Sequence, residues 1–237
     1  MQVSRTLTAP RKKSSGNPPV VGHRTRVGLE RRARTRSRIV AAALRVFAAK
    51  GTDGPVIDDF IREAGVARGT FYNYFTRTEQ LLLAVSRSLE DDLMLSIEAE
   101  MSDLRDPVAR LATGMRLWLG WARTDPVWCA FIVKSQFRGA LVERQLQADL
   151  KHGRKTGALD FHTVEAARDL VVGTILEAMS RIMTTPVSKA YCDGVARAIL
   201  RGLGVDAAQT DQLVRTPVPR LRRPAQKVSV KAPSSPP

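Results

Sequence analysis

Residues 56–75 of the sequence read VIDDFIREAGVARGTFYNYF, and this stretch decides the fold. Apolar residues at the helical spacing i, i+3, i+4, i+7 predict a first short helix: Ile57, Phe60, Ile61 and Ala64. Gly65 predicts the end of that helix, because glycine readily adopts the positive φ found at helix ends. A second helix is predicted to open near Ala67 and to turn Phe71 and Phe75 inward. Two short helices joined by a glycine-containing turn form a helix-turn-helix unit.

The outer face of the second helix carries polar groups that suit nucleic acid. Arginine, threonine, asparagine and tyrosine side chains can hydrogen-bond to base edges and phosphates, and Arg68 is the candidate for bidentate recognition of guanine. The candidate DNA-binding residues are Arg68, Gly69, Thr70, Tyr72, Asn73 and Tyr74. On spacing alone, an ordinary helical hairpin in an α-helical core explains the stretch about equally well.

A longer pattern favours the DNA-binding interpretation. In chain order it comprises Phe47, Gly51, Asp59, Ala64, Gly65, Val66, Gly69, Thr70, Phe71, Tyr72, Tyr74, Phe75, Glu79 and Leu82. From about Arg32 to Leu93 the chain therefore resembles the DNA-binding end of the tetracycline-repressor (TetR) family of transcriptional regulators. The resemblance implies a DNA-binding head followed by a helical body that dimerises and binds a small-molecule effector.

The sequence departs from this family pattern at positions where the resemblance implies phosphate contacts. Pro55 and Val56 stand where the family usually has hydroxyl-bearing residues. Asp58 replaces a common basic residue, and Thr78 replaces a common lysine. The head is therefore predicted to need other contacts to the DNA backbone.

The formal charge of +15 over 237 residues is concentrated at the two chain ends. Residues 1–38 hold eleven basic residues and one acid, and residues 212–237 hold six basic residues and no acid. The remaining chain is nearly neutral. Basic arms commonly bind polyanions, so the arm beside the head is predicted to contact phosphate or the minor groove. A solvated leader without function is the alternative.

The remaining pattern predicts an all-α protein without strands. Four parts are expected: a disordered basic arm over residues 1–31, a head over 32–93, a helical body over 94–206, and a disordered basic, Pro-rich tail over 207–237. The first helix of the head is predicted from about Arg32 to Lys50. A capping box of Thr76 and Glu79 is predicted to start the fourth helix. Asp-Pro pairs at 106–107 and 125–126 predict two helix starts in the body.

Tryptophan and methionine side chains cluster in the predicted body, together with Phe137. Such a cluster in a helical bundle can line a pocket for an apolar or aromatic ligand. The candidate pocket residues are Met115, Trp118, Trp121, Phe131 and Met179. Plain core packing is the alternative for each of them.

Two helices near the end of the body are predicted to mediate assembly. The helix from Thr163 to Met183 is apolar on more than one face, which indicates burial on two sides, and a second helix runs from Ser188 to Leu203. The resemblance implies that this pair forms a homodimer interface. A monomer core is the alternative.

Patterns typical of enzymes and metal proteins are missing from the sequence. His23, His152 and His162 show no metal-ligand spacing, and neither a Gly-rich phosphate loop nor a nucleophile elbow is found. Cys129 and Cys192 suggest buried thiols rather than a metal site or a disulfide framework. Without a secretory signal or a run of about 18–20 apolar residues, a cytoplasmic protein is expected.

The sequence is therefore interpreted as a sequence-specific transcriptional regulator without a cofactor. It is expected to bind double-stranded operator DNA as a homodimer and to repress transcription until a small-molecule effector binds. The first alternative is a DNA-binding architectural protein without an effector. The second is a helical interaction protein that does not bind DNA.

Overall fold

The computed structural model describes residues 23–135 and 139–221, and every regular element within them is an α-helix. The helices are α1 (His23–Lys50), α2 (Ile57–Ala64), α3 (Arg68–Tyr72), α4 (Thr78–Glu100), α5 (Pro107–Thr124), α6 (Pro126–Ser135), α7 (Ala140–Lys155), α8 (Val164–Thr184), α9 (Lys189–Gly202) and α10 (Ala207–Arg215). The predicted all-α fold is confirmed. None of these helices is long and apolar enough to cross a lipid bilayer.

Polar side chains start several helices of the body. Asp106 accepts a hydrogen bond from the backbone N–H of Val108 at 3.0 Å, and Pro107 occupies the first helical position. Asp125 accepts one from the N–H of Trp128 at 2.9 Å. These contacts satisfy N–H groups that have no partner within the helix. The same role falls to Thr163, Ser188 and Asp206 in α8, α9 and α10.

The first helix begins at His23, nine residues earlier than predicted, so the predicted disorder of residues 23–31 is wrong. The described residues up to Arg36 belong to a unit separate from the rest of the chain, and their described side chains are mostly exposed. Arginine has a good helix propensity and can extend a helix that has no apolar face. Arg26 and Glu30 form an exposed ion pair one turn apart, at 3.8 Å. Residues 1–22 of the predicted arm lie outside the described residues.

The fourth helix begins at Thr78 with Arg77 as its N-cap, so the predicted capping box of Thr76 and Glu79 is wrong. Gln80 takes the place of Glu79 in this role. Its side-chain oxygen accepts hydrogen bonds from the N–H and the hydroxyl of Thr76 at 2.9 and 3.2 Å. The sequence motif does not distinguish Glu79 from Gln80 as the partner of Thr76, because either side chain can reach back over one helical turn.

The chain after residue 206 continues into α10, so the prediction of a disordered tail is wrong for Ala207–Arg215. Thr210 and Val214 are buried in this helix. Asp206 accepts a hydrogen bond from the N–H of Gln209 at 2.9 Å, which fixes the start of the helix. Residues 222–237 of the predicted tail lie outside the described residues, as does Phe137.

A buried arginine attaches this end of the chain to the body. Arg116 of α5 donates to Asp193 of α9 at 2.9 Å and to the backbone carbonyls of Leu213 and Thr216 at 3.2 and 2.7 Å. Its side chain is 4% exposed. One guanidinium group therefore joins α5, α9 and the C-terminal end of α10.

The described residues from Ser37 onward form the second compact unit, in which head and body share one hydrophobic core. Phe47 of α1 packs against Phe60 of α2, with ring centroids 5.0 Å apart, and against Phe131 of α6 at 5.7 Å. The predicted boundary between residues 93 and 94 falls within α4, which contributes buried side chains throughout its length. The head is thus packed directly on the body.

Both cysteines are free and buried, which confirms their interpretation as buried thiols. Burial raises the pKa of the Cys129 thiol to about 11, and it also raises the pKa of Cys192. Both thiols are therefore protonated at neutral pH, and the reactive thiolate is scarce.

Candidate DNA-binding face and ligand cavity

The turn between α2 and α3 is fixed by Gly65. This residue has φ +59° and ψ +41°, the left-handed conformation that glycine adopts without steric cost. Its N–H donates to the carbonyl of Arg62 at 3.2 Å, and the N–H of Val66 donates to the carbonyl of Ile61 at 3.5 Å. The last carbonyls of α2 are satisfied in this way, and the chain turns directly into α3.

The short helix α3 is anchored by two aromatic side chains. Phe71 and Phe75 are both buried, with ring centroids 6.2 Å apart, as the sequence predicted. Of the six candidate DNA-binding residues, four are exposed: Arg68, Gly69, Tyr72 and Asn73. Thr70 and Tyr74 are half-buried beside them. The structure therefore brings all six together on and around one surface helix.

An acidic partner of Arg68 was not foreseen from the sequence. Asp58 of α2 accepts a hydrogen bond from the Arg68 guanidinium at 2.5 Å, and the two side chains are 57% and 62% exposed. Ion pairs this exposed contribute little to stability. The contact nevertheless holds the guanidinium toward α2 and places a negative charge beside the candidate base-reading group.

Other basic side chains of the head are paired with acids of α2 as well. Lys50 donates to Asp59 at 2.6 Å, and Arg45 donates to Glu63 at 2.5 Å. The hydrogen bonds from Lys50 and from the backbone N–H of Val56 hold the pKa of Asp59 below its usual range. Together with Arg68, three cations near the candidate face are thus partly neutralised within the protein.

Replacing Arg68 by alanine is expected to weaken binding to a specific site by about 1–3 kcal/mol and to relax the preference at one base pair. The reason is the loss of a bidentate contact to guanine, which phosphate contacts cannot replace. Competition binding with single-base-pair variants of the site measures both effects. Arg62→Ala, which removes an exposed arginine from α2, controls for the loss of one charge. Equal losses on specific and random DNA would make Arg68 a phosphate contact instead.

A cavity that is partly open to solvent lies between α4, α5, α6, α7 and α8. Most of its lining is apolar. Met115, Trp118 and Met179 of the predicted pocket line this cavity, whereas Trp121 and Phe131 do not. Trp121 is buried elsewhere on α5, and Phe131 faces Phe47 of the head. The sequence therefore predicted helices that border the cavity, but it did not predict which faces of those helices line it.

Charged side chains that the sequence analysis missed also line the cavity. Arg110 donates to both carboxylate oxygens of Glu98 at 2.8 Å and to Asp149 at 2.8 Å. Burial raises the pKa of Asp149, and the hydrogen bond from Arg110 opposes that effect. Glu143 is bound by Arg168 at 3.0 Å. These acids and bases lie far apart in the sequence, on separate helices, so no short sequence pattern predicts that they form a cluster.

A third carboxylate of the cavity, Glu90, is buried within α4. It accepts a hydrogen bond from the backbone N–H of Gly139, which precedes α7. A Cβ atom at position 139 would come within 2.9 and 3.0 Å of carboxylate oxygens of Asp91 and Glu90, so these two side chains would have to shift. The start of α7 is thereby held against the cavity wall.

Helix α6 touches both the cavity and the head. Ile132 lines the cavity, and its neighbour Phe131 packs edge-on against Phe47 of α1. At the end of the helix, Lys134 forms an ion pair with Asp53, which lies in the connection between α1 and α2. A displacement of α6 at the cavity would therefore change two contacts with the head, one at Phe47 and one at Asp53.

Two family models match the chain. The model described as "Bacterial regulatory proteins, tetR family" matches residues 39–85, and the model "Tetracyclin repressor-like, C-terminal domain" matches residues 106–216. The first covers the helix-turn-helix unit, and the second covers the cavity-lining residues from Arg110 onward.

Sequence relatives match over part of the chain. The chain is 39% identical over 67 residues to the HTH-type transcriptional regulator SrpR of Pseudomonas putida, covering 28% of this chain and 32% of that protein. It is 31% identical over 105 residues to the HTH-type transcriptional regulator BetI of Rhizobium meliloti (strain 1021), covering 43% and 52%. The matched region thus spans between a third and a half of these relatives.

Solved structures resemble the chain over most of its length. RolR in complex with resorcinol is 27% identical, with a TM-score of 0.65 over 82% of this chain and 100% of that chain. The regulator FadR from Bacillus subtilis in complex with stearoyl-CoA is 20% identical, with a TM-score of 0.55 over 70% and 98%, and shows the fold alone. Head and body are therefore arranged as in known regulators.

Proposed function

Because the chain belongs to the tetR family of bacterial regulatory proteins, we propose that it is a sequence-specific transcriptional regulator whose binding to operator DNA is controlled by a small molecule. The exposed residues of α3 read the DNA, with Arg68 as the main base contact. The cavity between α4 and α8 holds the ligand. Binding of the ligand releases the DNA, so the protein acts as a repressor.

The position of α6 carries this proposal. Ile132 faces the cavity, while Phe131 and Lys134 of the same helix contact Phe47 and Asp53 of the head. A ligand that displaces α6 changes the support of α1 and of the turn before α2. The recognition helix α3 follows α2 after the tight turn at Gly65 and is joined to it by the ion pair between Asp58 and Arg68, so a shift of α2 also moves α3. RolR, which has a similar fold, was solved with resorcinol bound, which supports a ligand-binding role for this body.

Selection from a pool of random duplexes, followed by footprinting, tests the proposed function. A regulator is expected to enrich one sequence motif and to protect it alone. Uniform protection along the duplex would support the architectural alternative, and no affinity even at low salt would support an interaction protein. The selected duplex then serves to screen compounds that release it. A ligand specific for the native state should also raise the melting temperature.

We further propose that α8 and α9 form the interface of a homodimer. Leu170 of α8 is 38% exposed although it is apolar, and it covers the exposed Gly202 of α9. Gly173 and Ala198 are small, exposed residues on the same two helices, and small residues allow helices to approach closely. A twofold dimer would place two recognition helices for two half-sites about 34–36 Å apart or a multiple of that distance.

Not every apolar residue of these two helices is available for that interface. Ile175 and Ile199 are buried within a single chain, at 9% and 0% exposure. Charges at these positions would unfold the monomer and would not test assembly. The exposed apolar positions of α8 are the suitable ones.

Leu170→Glu is expected to raise the dimer dissociation constant at least about 100-fold, because a buried, unpaired carboxylate costs several kcal/mol and twofold symmetry introduces two of them. Sedimentation velocity over a concentration series measures the change. Leu95→Glu replaces an exposed leucine of α4 and should leave assembly intact. If the Leu170 variant remains a dimer at the same concentrations as the parent, the interface lies elsewhere.

We propose that the basic arm supplies phosphate contacts that the head lacks. Pro55 is buried and Val56 carries no hydroxyl, while Lys50 and Arg68 are engaged by acids. The arm and the first turns of α1 add cations at this end of the chain. These cations can contact the phosphates of any DNA sequence, since phosphate contacts position a protein without reading bases.

Deleting residues 1–29, which hold six basic residues, is expected to reduce the slope of log affinity against log salt by roughly 2–3 units. Specific and random duplexes should weaken alike. Titrations at four or more salt concentrations measure the slope. A full-length variant with glutamine at the six positions separates charge from length. An unchanged slope in both variants would leave the arm without a role in DNA binding.

A further inference from the structure

The ionisable side chains that line the cavity are already bound within the protein. Among the described lining residues they are Glu90, Arg110, Glu143 and Asp149. Arg110 donates to Asp149 at 2.8 Å, and Arg168 donates to Glu143 at 3.0 Å. Glu90 accepts a hydrogen bond from the backbone N–H that precedes α7. Each ionisable group of the described lining thus has a partner in place before a ligand binds.

The indole of Trp118 is the uncharged polar side chain of the described lining. Its N–H is directed at the sulfur of Met179 at 3.4 Å. An indole nitrogen can only donate, and a thioether sulfur is a weak acceptor. An oxygen atom of a ligand can therefore replace the sulfur as the partner of this N–H and form a stronger hydrogen bond.

The orientation of this indole is fixed by a second tryptophan. The ring of Trp118 meets Trp128 of α6 edge-on, with centroids 5.1 Å apart. Trp128 is buried, and its own N–H donates to the backbone carbonyl of Leu89 in α4 at 3.3 Å. Trp128 is thus held by the backbone, whereas Trp118 presents its N–H at the cavity. A donor that is already oriented loses little conformational freedom when a ligand binds.

Sulfur-containing side chains make up a large part of the apolar lining. Four of the six methionines of the chain border the cavity: Met94, Met101, Met115 and Met179. Methionine fills irregular spaces, and its sulfur makes favourable contacts with aromatic rings. The lining therefore suits an aromatic ring better than a saturated ring of similar size.

We propose that the ligand of this cavity is an aromatic molecule that carries a hydrogen-bond acceptor, and that Trp118 is the residue that recognises the acceptor. The ring packs among the methionines, and the acceptor takes the indole N–H in place of the sulfur of Met179. An acceptor buried away from this N–H would lose its hydrogen bonds to water, which is costly when no partner replaces them. This inference rests on the proposed function, because it names the class of ligand that controls DNA binding.

Three neutral probes test the class of ligand. Acetophenone has an aromatic ring and a carbonyl acceptor, ethylbenzene has the ring alone, and cyclohexyl methyl ketone has the carbonyl on a saturated ring. Calorimetry on the full-length protein measures each dissociation constant. Acetophenone is expected to bind. The saturated ketone should bind about two- to tenfold more weakly than acetophenone, because it lacks the contacts between sulfur and an aromatic ring.

Trp118→Phe removes the N–H and keeps an aromatic ring. It should weaken acetophenone binding at least about fivefold and ethylbenzene binding less than about twofold, because only the ketone loses a hydrogen-bond donor. Trp121→Phe is the matched control. It removes an indole N–H from the next turn of α5 that lies outside the lining and has no hydrogen-bond partner among the described residues. This control should leave both affinities unchanged.

Met179→Leu tests the same contact in the opposite direction. The substitution changes the volume of the side chain little, but it removes the sulfur that competes for the N–H of Trp118. Both aromatic probes lose the same sulfur contact. The preference for acetophenone over ethylbenzene should therefore rise at least about twofold. Thermal melts show which variants are folded, and the two positions are independent.

No binding of acetophenone at millimolar concentration would overturn the inference, and so would equal or tighter binding of the saturated ketone. An unchanged acetophenone affinity in folded Trp118→Phe, or an unchanged preference in folded Met179→Leu, would overturn the role of Trp118. Binding to the selected duplex is measured on the same preparations. Specific DNA binding without the expected ligand selectivity would overturn the inference alone. Selective ligand binding without any effect on DNA binding would overturn the proposed function.

Discussion

Replacing Phe71 by alanine should lower the free energy of unfolding by about 3–5 kcal/mol, the usual cost of emptying a buried phenylalanine site. Phe71 is 1% exposed and packs between Phe75 and the edge of Tyr72, with centroids 6.2 and 6.0 Å away. It is the buried anchor of α3, so the space it leaves cannot be filled by neighbours without moving the helix. Urea unfolding followed by circular dichroism measures the change.

Tyr72→Ala is the matched control for this prediction. It also removes an aromatic ring from α3, but this ring is exposed. We expect less than about 1 kcal/mol of destabilisation, because surface substitutions rarely cost more, together with weaker binding to DNA. If the Phe71 variant unfolded at the same urea concentration as the parent, α3 would not be anchored as described. Equal effects of the two variants on stability would lead to the same conclusion.

Arg116→Ala should destabilise the protein by about 3–5 kcal/mol, the typical effect of breaking a buried ion pair by removing one partner. The change leaves Asp193 with Lys189 alone, at 2.5 Å, and leaves two carbonyls near α10 without their donor. The last helix should lose its attachment first. Hydrogen exchange of α10 amides should therefore accelerate more than that of α4 amides.

A second arginine provides the control for the loss of Arg116. Arg197 also joins α9 to α10, through Asp211 at 2.8 Å, but this pair is exposed. Arg197→Ala should cost less than about 1 kcal/mol, because exposed ion pairs contribute little. The two variants remove the same charge between neighbouring helices and differ mainly in burial. Similar destabilisation by both would argue against a special role of the buried group.

The ion pair between Arg116 and Asp193 also predicts how stability depends on pH. Burial alone would raise the pKa of Asp193, but hydrogen bonds from Lys189 and Arg116 outweigh it and hold this pKa below the ordinary 3.8. A depressed carboxyl pKa stabilises the fold at pH values above the unfolded pKa, and this contribution disappears as the pH falls through the folded pKa. Stability lost below about pH 4 should therefore be smaller in Arg116→Ala than in the parent.

Local signals in the sequence were sufficient for much of the fold. Gly65 ends α2, and Asp106 with Pro107 starts α5, because caps and turns depend on residues close together in the chain. The inward positions of Phe71 and Phe75 followed from helical spacing. α10 was missed because a short helix with few apolar residues resembles a polar tail. Its burial depends on Arg116, almost a hundred residues away.

The candidate sites were less predictable because they depend on contacts between helices. Trp118 and Trp121 lie on adjacent turns of α5 and look alike in sequence, yet only Trp118 borders the cavity. Spacing reveals that a face is apolar but not whether it meets another helix or an empty space. The contact between Asp58 and Arg68 joins two helices across a turn. It depends on how α2 and α3 are placed, so the sequence around either residue does not predict it.

The contact between Asp58 and Arg68 also bears on how the protein finds one site within a whole genome. A carboxylate beside the recognition helix repels every phosphate backbone alike, and it therefore weakens binding to all DNA. If Arg68 reads a guanine as proposed, this base takes the place of Asp58 as its partner and restores part of that loss at the specific site alone. Because a genome offers roughly 10⁶–10⁹ competing sites, operator occupancy depends on the ratio of affinities. An acid that weakens binding to all DNA can thus reduce the fraction of protein bound at nonspecific sites, and it leaves a larger fraction free to bind a specific site.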